Sequence, residues 1–401
     1  MSTGAADEST LREVIAALAG VERRAGEPGE EQAADWIAQR LRAAGAPATV
    51  EEAAFRDGYA KVIRNLAAIG VAAGVGALAS RRLRRAGGTA AAAATLAIAD
   101  DISNGPRVVR RMSGRPRRTW NVVAECGDLS AERTLVLLAH HDAAPTGKIF
   151  DDRLQAWLGE RFPGILERID TSLPLWWTIL AAPGMVALGA ARDRRGLVAA
   201  GTVGSAVGVA AFQDIARSPI VPGANDNLTA VAVLVALAQR LRAEPVTGLR
   251  VLLVSCGAEE VIQGGIYSFA ERHFPRLARE RTWFLNLETL GSPRLVLVEG
   301  EGPVIMEDYY DRSFRDLVAR VAEQAGAPLR RGMRARNSTD AVLPSRAGYP
   351  TAMLCSMDRN KALSNYHQMS DTPDNVDYRT VGHALVVTEA VARELAVNPW
   401  L

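Results

Sequence analysis

The chain is poor in cysteine, lysine and histidine, and nearly without net charge. Three cysteines, Cys126, Cys256 and Cys355, lie in or beside apolar runs, are odd in number and form no CxxC pair. That excludes a disulfide framework and a cysteine zinc ribbon, and leaves buried thiols of a reducing compartment as the expectation. With 47 basic and 45 acidic side chains, a formal charge of +2, no global field favours nucleic acid, and no nucleic-acid partner is expected. Lysine is confined to Lys61, Lys148 and Lys361, so the positive charge is almost all arginine. The first twenty residues carry acids where a secretory signal needs a basic start, and no apolar core follows, so the expected location is cytoplasmic or membrane-associated. No internal repeat of fixed period is present.

What is there reads as α/β. At 401 residues the chain is long enough for one large domain with insertions. Apolar spacing predicts two amphipathic helices over 11–44, separated by GEPGEE, with Glu30 and Glu31 opening the second. Buried-strand candidates follow at 121–125, 134–142, 249–257, 283–291, 294–300 and 350–356, with helical patterns at 228–241, 263–273 and 314–324 between them. Strands alternating with helices predict a mainly parallel mixed central sheet with helices on both faces.

Two stretches interrupt this pattern, dividing the domain into 1–58, 119–147 and 221–401, with insertions at 59–118 and 148–220. Each insertion contains a pair of uncharged runs separated by a short arginine cluster, Arg81-Arg82-Leu83-Arg84-Arg85 in the first and Arg192-Asp193-Arg194-Arg195 in the second. Each therefore reads as an inserted hydrophobic helical hairpin with a basic tip. Runs of about 14 to 21 residues straddle the length that crosses a bilayer, so residues 65–99 and 173–212 are candidates either for membrane association or for a soluble cap whose hairpins bury one another.

The chemistry sits at strand ends, where open α/β sheets place their sites. In TLVLLAHHD, His140 and Asp142 are two apart and face one way in extended backbone while His141 faces the other. Asp142 there can fix the His140 tautomer. Asp226, in GANDN before an apolar helix, is either an N-cap or a carboxylate shared between two cations. Glu259 and Glu260 follow the strand LRVLLVSCG, so one can bind a metal while the other deprotonates water. Glu288 lies in the apolar run WFLNLETLG and needs a cation or an arginine to be buried. His367 is in a polar loop after PTAMLCS, with Asp371 four residues on either orienting it or starting a turn, and Asp340 is expected in a turn. Imidazole and carboxylate donors of this kind suit zinc.

The order HxD, GANDN, AEE, an acid in an apolar strand, then YH resembles the co-catalytic zinc exopeptidases of metallopeptidase clan MH, family 28, which includes aminopeptidases, glutamate carboxypeptidases and, as relatives, glutaminyl cyclases. The resemblance covers the opening helices and nearly everything from residue 119 onward, and leaves out both insertions. It implies a zinc exopeptidase fold and two zinc ions, with His140 and Glu260 on opposite metals, Asp226 bridging, and Glu288 and His367 completing the set. It implies Glu259 as general base and Asp142 as the residue orienting His140. The family usually has Asp where Glu288 stands, and Glu keeps the oxygen ligand while adding a methylene. The implied activity is hydrolysis of a peptide or small amide, with aminopeptidase first. Carboxypeptidase is the alternative if an arginine among Arg330, Arg331, Arg334 and Arg336 holds a substrate carboxylate. A single-zinc glutaminyl cyclase and a non-enzymatic membrane-associated scaffold are the remaining alternatives.

Overall fold

The computed structural model describes residues 4–162, 164 and 168–398. Nine strands form one mixed sheet: β1 (Ala48–Asp57), β2 (Arg115–Gly127), β3 (Thr134–His140), β4 (Arg250–Cys256), β5 (Thr282–Glu288), β6 (Arg294–Glu301), β7 (Glu307–Asp308), β8 (Arg330–Ala335) and β9 (Thr351–Met357). Their order is β1-β2-β4-β3-β5-β9-β6-β7, with β8 beside β6. Parallel pairing holds for the central run β4-β3-β5-β9 and for β8 on β6, whereas β1, β2, β6 and β7 pair antiparallel to their neighbours. The central strands are buried at almost every position because helices cover both faces, and their sequences are accordingly mostly apolar, with Val/Leu runs in β3 and β4.

Helices α1 (Ala5–Ala19) and α2 (Pro28–Ala43) form the predicted opening pair. Pro28 sits in the first turn of α2, where its missing N–H is harmless, and Arg40 and Arg42 lie in the last turn, where cations suit the carbonyl end. Helices later in the chain, over Thr229–Ala243, Arg312–Gln324 and Tyr378–Val397, share the same face of the sheet and one core with α1 and α2. The helix Gly264–His273 packs with Phe284 and Tyr349 on the opposite face.

The first insertion ends earlier than the sequence suggests. Residues 115–118, taken as its basic flank, continue β2 and pair with Asp57–Ala54 of β1. A ten-residue ladder to β1 stabilises them as strand despite Pro116 and three arginines, a pairing that local composition does not reveal.

The insertions fold as two helical hairpins, α3 (Tyr59–Ala79) with α4 (Arg81–Ile102) and α5 (Leu175–Ala191) with α6 (Arg195–Ile215). They pack on each other as one four-helix bundle, α3 against α6 and α4 against α5. Small residues allow the close approach: a Cβ at Gly70 would lie 2.7 Å from Ser205 Oγ, and one at Gly201 would lie 2.6 Å from the Ala182 carbonyl oxygen and 2.7 Å from the Val186 nitrogen. Arg84 and Asp193 pair at the joined tips. The outer surface keeps large apolar side chains, among them Ile69, Val75, Leu96, Leu188, Val203 and Val207, 44% to 71% exposed. Helices α3 and α6 are long and apolar enough to cross a membrane, by length and composition.

Gly201 gives the first prediction. Backbone atoms of α5 cannot rotate out of the way of a new side chain, so Gly201→Leu is expected to destabilise the bundle by about 1–3 kcal/mol or more. Thermal unfolding followed by circular dichroism reads this as a lowered midpoint; a midpoint equal to that of the parent chain would show that α5 and α6 are not in such close contact.

Candidate active site

Three neighbouring parallel strands end at one edge of the sheet, and each delivers a polar residue there. His140 is the last residue of β3 and Glu288 the last of β5, so Glu288 stands at a strand end and not within the strand. Glu259 and Glu260 occupy the loop after β4. Asp226 lies in a bent segment, Ala224–Leu228, with φ −112° and ψ 90°, just before the helix Thr229–Ala243. The N-cap position of that helix is Leu228, so Asp226 is not its cap. His367 sits in the loop after β9 with φ 52°, a left-handed conformation that an L-residue adopts at a cost of about 1 kcal/mol. Tyr366 stacks on its ring at 3.8 Å between centroids, and Phe150 meets it edge-on at 4.4 Å.

Asp226 is the centre of the cluster. Its Oδ1 is 3.3 Å from His140 Nε2, and its Oδ2 is 3.4 Å from His367 Nε2. His140 Nε2 also lies 3.2 Å from Glu288 Oε1, and His367 Nε2 lies 3.1 Å from Glu260 Oε2. Two donor groups result, His140 with Asp226 and Glu288, and Asp226 with Glu260 and His367, sharing the one carboxylate. Glu259 Oε2 stands 3.9 Å from His140 Nε2, while its Oε1 accepts a hydrogen bond from Gln263 Nε2 at 2.9 Å. His141 turns away and meets Ser255 Oγ at 2.9 Å.

Asp142 does more than the HxD spacing suggests. Its Oδ1 is 3.5 Å from His140 Nδ1, and its two oxygens accept the backbone N–H groups of Glu259 and Glu260, each at 3.0 Å. One carboxylate thus ties β3 to the loop after β4. Asp371 acts likewise on another segment: its oxygens accept the N–H groups of Asn225 and Asp226 at 2.7 and 3.1 Å, so it fixes the Asp226 segment and does not orient His367. The asparagines of GANDN complete the frame. Asn227 donates to the Leu287 carbonyl and accepts from the Thr289 N–H, both at 2.9 Å, which holds Asp226 beside Glu288.

Several residues the sequence did not single out carry this frame. Arg23 is fully buried and donates to the carbonyls of His141 at 2.7 Å, Pro222 at 2.8 Å and Leu18 at 2.6 Å. Glu30 stands in the first turn of α2, as read, and is also buried, accepting from the Ala258 N–H and Thr119 Oγ1, both at 2.7 Å. Gln263 is a further residue of this kind, donating to Glu259 Oε1. An acid in a first turn and an arginine in a loop look alike in sequence whether they face water or the interior. Asp340 lies in a turn, as expected, and is buried beside the Cys256 thiol. Of the four arginines weighed for substrate, Arg331 pairs with Glu299 and Asp316, and Arg334 with Asp308. Arg336 lines the same cavity as the cluster, its guanidinium 5.1 Å from the Trp177 ring centre.

The electrostatics are those of crowded buried acids. Burial, with the nearby Glu288, Asp340 and Glu260, pushes Glu259 well above the usual carboxylate range against the pull of His140. Burial likewise raises Glu260, to about 6, and Asp340, to about 7. Burial works against the charged form of both histidines, yet the surrounding carboxylates outweigh it and raise His140 and bring His367 to about 10. Asp226 is lowered despite burial, through His140 and His367. Both ring nitrogens of His367 and Oε1 of Glu260 are buried without a hydrogen bond among the described residues. Imidazole and carboxylate donors, desolvated, convergent and only partly satisfied by one another, fit a divalent cation of the zinc type in each donor group.

Residues 195–392 match the model of peptidase family M28. Comparison with curated proteins returned no match. Among solved structures, the chain is similar to BSAP, a zinc aminopeptidase from Bacillus subtilis, at 13% identity and a TM-score of 0.56, covering 97% of this chain and 94% of that one. It is similar to an aminopeptidase from Aneurinibacillus sp. strain AM-1 at 14% identity and a TM-score of 0.55, covering 97% and 94%. It is also similar to the Tannerella forsythia glutaminyl cyclase at 14% identity and a TM-score of 0.56, covering 98% and 99%. At these identities the structural likeness is one of fold.

Asp142 offers a direct check on the frame. In Asp142→Asn one of the two N–H groups, of Glu259 or Glu260, loses its acceptor and faces an NH2 group instead. Zinc affinity, titrated against a competing chelator, is expected to fall about 10- to 100-fold; unchanged affinity would mean that the loop holds Glu260 without it.

Proposed function

We propose that this chain, whose residues 195–392 match peptidase family M28, is a di-zinc aminopeptidase acting on peptides or small amides. One observation carries the reading: the two oxygens of Asp226 face two different histidines, each accompanied by its own glutamate. Such a carboxylate suits two cations held side by side, His140 and Glu288 completing one set and Glu260 and His367 the other. Bound there, the metals would polarise the scissile carbonyl and make water acidic enough to attack at neutral pH.

The residues do the rest. Glu259 takes the proton of the attacking water and passes it to the leaving amine. Buried beside the donor groups, it is placed to hold that proton between the two transfers. Gln263, donating to Oε1, leaves Oε2 turned toward His140 and the other donors. Asp142 holds the His140 imidazole and the Glu259 backbone together, so base and ligand keep a fixed spacing. Asp152 lines the cavity, and an acid there suits a substrate's free amine, whereas Asp151, also in the lining, is paired with Arg153. Arg336, also in the lining, favours carboxypeptidase as the second reading, since a guanidinium matches a terminal carboxylate.

The insertions support a bilayer as partner. Residues 65–80, 86–99, 171–191 and 196–213 carry no charged side chain, and their helices leave apolar groups on the outside of the bundle. A 21-residue helix is about 30 Å long, near the thickness of a hydrocarbon core.

Metal analysis of the purified chain should return two zinc equivalents, with hydrolysis of aminoacyl substrates ahead of carboxy-terminal ones. One equivalent, together with cyclisation of amino-terminal glutamine, would replace the assignment by the cyclase. Glu259→Gln should abolish turnover while both metals stay bound, and undiminished turnover would remove Glu259 as the base. After cell lysis the chain should stay with the membrane fraction through an alkaline carbonate wash and come off only with detergent; recovery in the soluble fraction would end the bilayer reading.

A further inference from the structure

The cavity that holds the acid cluster does not stop at it. About 390 Å3 in volume, it takes in Asp226, Glu259, Glu260, Glu288 and His367, and the same space is bounded by the four helices of the inserted bundle. Every contribution from these helices comes from the end remote from the arginine tips. Tyr59 opens α3, Ile102 closes α4, Trp176 and Ile179 lie in the first turns of α5, and Phe212 and Ile215 in the last turn of α6. The bundle thus stands on the site by its feet, and the feet are apolar.

The feet are also locked in place. Phe212 is stacked by Trp176 at 6.1 Å and met edge-on by Tyr59 at 6.4 Å. Below them, Arg110 makes a buried two-pronged pair with Asp101 of α4, at 2.9 and 2.6 Å, and its remaining nitrogen donates to the carbonyl of Val261, the residue after Glu260. The loop bearing Glu259 and Glu260 and the foot of the bundle are therefore keyed to each other through one guanidinium.

We infer that these helix ends form a subsite for a large apolar group of the substrate, an aromatic or long aliphatic side chain next to the scissile amide. The inference rests on the amide-hydrolase reading for its substrate, and on the shared cavity for its place. Each methylene moved from water into such a wall tightens binding by up to about fourfold, whereas a polar group brought there without a partner is disfavoured. The volume lies within the range of small-molecule sites and exceeds what one small side chain fills. Tyr59, Ile102, Trp176 and Ile179 lie outside residues 195–392, the segment that matches the family model, whereas Phe212 and Ile215 lie within it, so four of the six apolar walls come from outside the matched segment.

Straight-chain alcohols from butanol to octanol probe the apolar room without calling on hydrolysis or amine recognition. Calorimetric titration of the full chain should give affinities that rise about two- to fourfold per methylene. Phe212→Asn should flatten that series, and Trp176→Ala, at a partly exposed position less prone to misfolding, should weaken octanol binding at least fivefold while zinc content is retained. In turnover, the ratio of kcat/KM for phenylalanyl over alanyl amides should fall at least fivefold in either variant. A flat alcohol series, or a series and a ratio that neither variant alters, would overturn the subsite even if hydrolysis is observed. A rising series that both variants depress, in a chain that hydrolyses none of the amides, would keep the subsite and overturn the peptidase reading instead.

Discussion

Too much negative charge is buried at the carboxyl edge of this sheet for the protein alone to balance. Asp142, Asp226, Glu259, Glu288 and Asp340 are buried and Glu260 is partly so within one cluster, and the positive groups among them, of the described residues, are two imidazoles and the guanidinium of Arg23. In a low-dielectric interior each unpaired carboxylate is strongly unfavourable. Protons driven onto Glu259, Glu260 and Asp340 are one remedy, and divalent cations between the histidines and carboxylates are the other. Nearly every supporting contact can be understood as keeping this cluster convergent until that balance is made.

The support follows a simple division of labour. Asp142 and Asp371 use carboxylate oxygens to collect pairs of backbone N–H groups from the Glu259-Glu260 and Asn225-Asp226 segments. Arg23 collects carbonyls from three separate stretches of chain. Loops that would otherwise carry unsatisfied backbone groups into the interior are thus held by charged side chains, which also fix the donors they carry. The bundle joins the same frame through Arg110, so the insertions are part of the site's walls and not appendages to them.

The legibility of the sequence was uneven for physical reasons. Central strands were plain, because burial on both faces demands unbroken apolar runs, as in TLVLLAH and RVLLVSC. The antiparallel edge was not, and Arg115–Arg118 passed for the end of an insertion because a ladder to β1, far away in sequence, is what makes them strand. His140, Asp226, Glu260, Glu288 and His367 stood out since an imidazole or acid at the end of an apolar run is chemically conspicuous. Arg23 did not, and the backbone partners of Glu30 and Asp371 were not legible either, since nothing local separates a buried charge from a solvated one.

By itself, then, the sequence determined the alternation of strands and helices, the two uncharged hairpins and the inventory of possible donors, all of which follow from periodicity and side-chain chemistry read over short windows. Tertiary structure alone decided that Asp226 turns one oxygen to each histidine, that Asp371 serves the Asp226 backbone and not His367, and that four helix ends from two separate insertions meet beside the cluster. Those facts depend on the parallel register of β4, β3 and β5 and on close packing between hairpins far apart in the chain, quantities that no local pattern encodes.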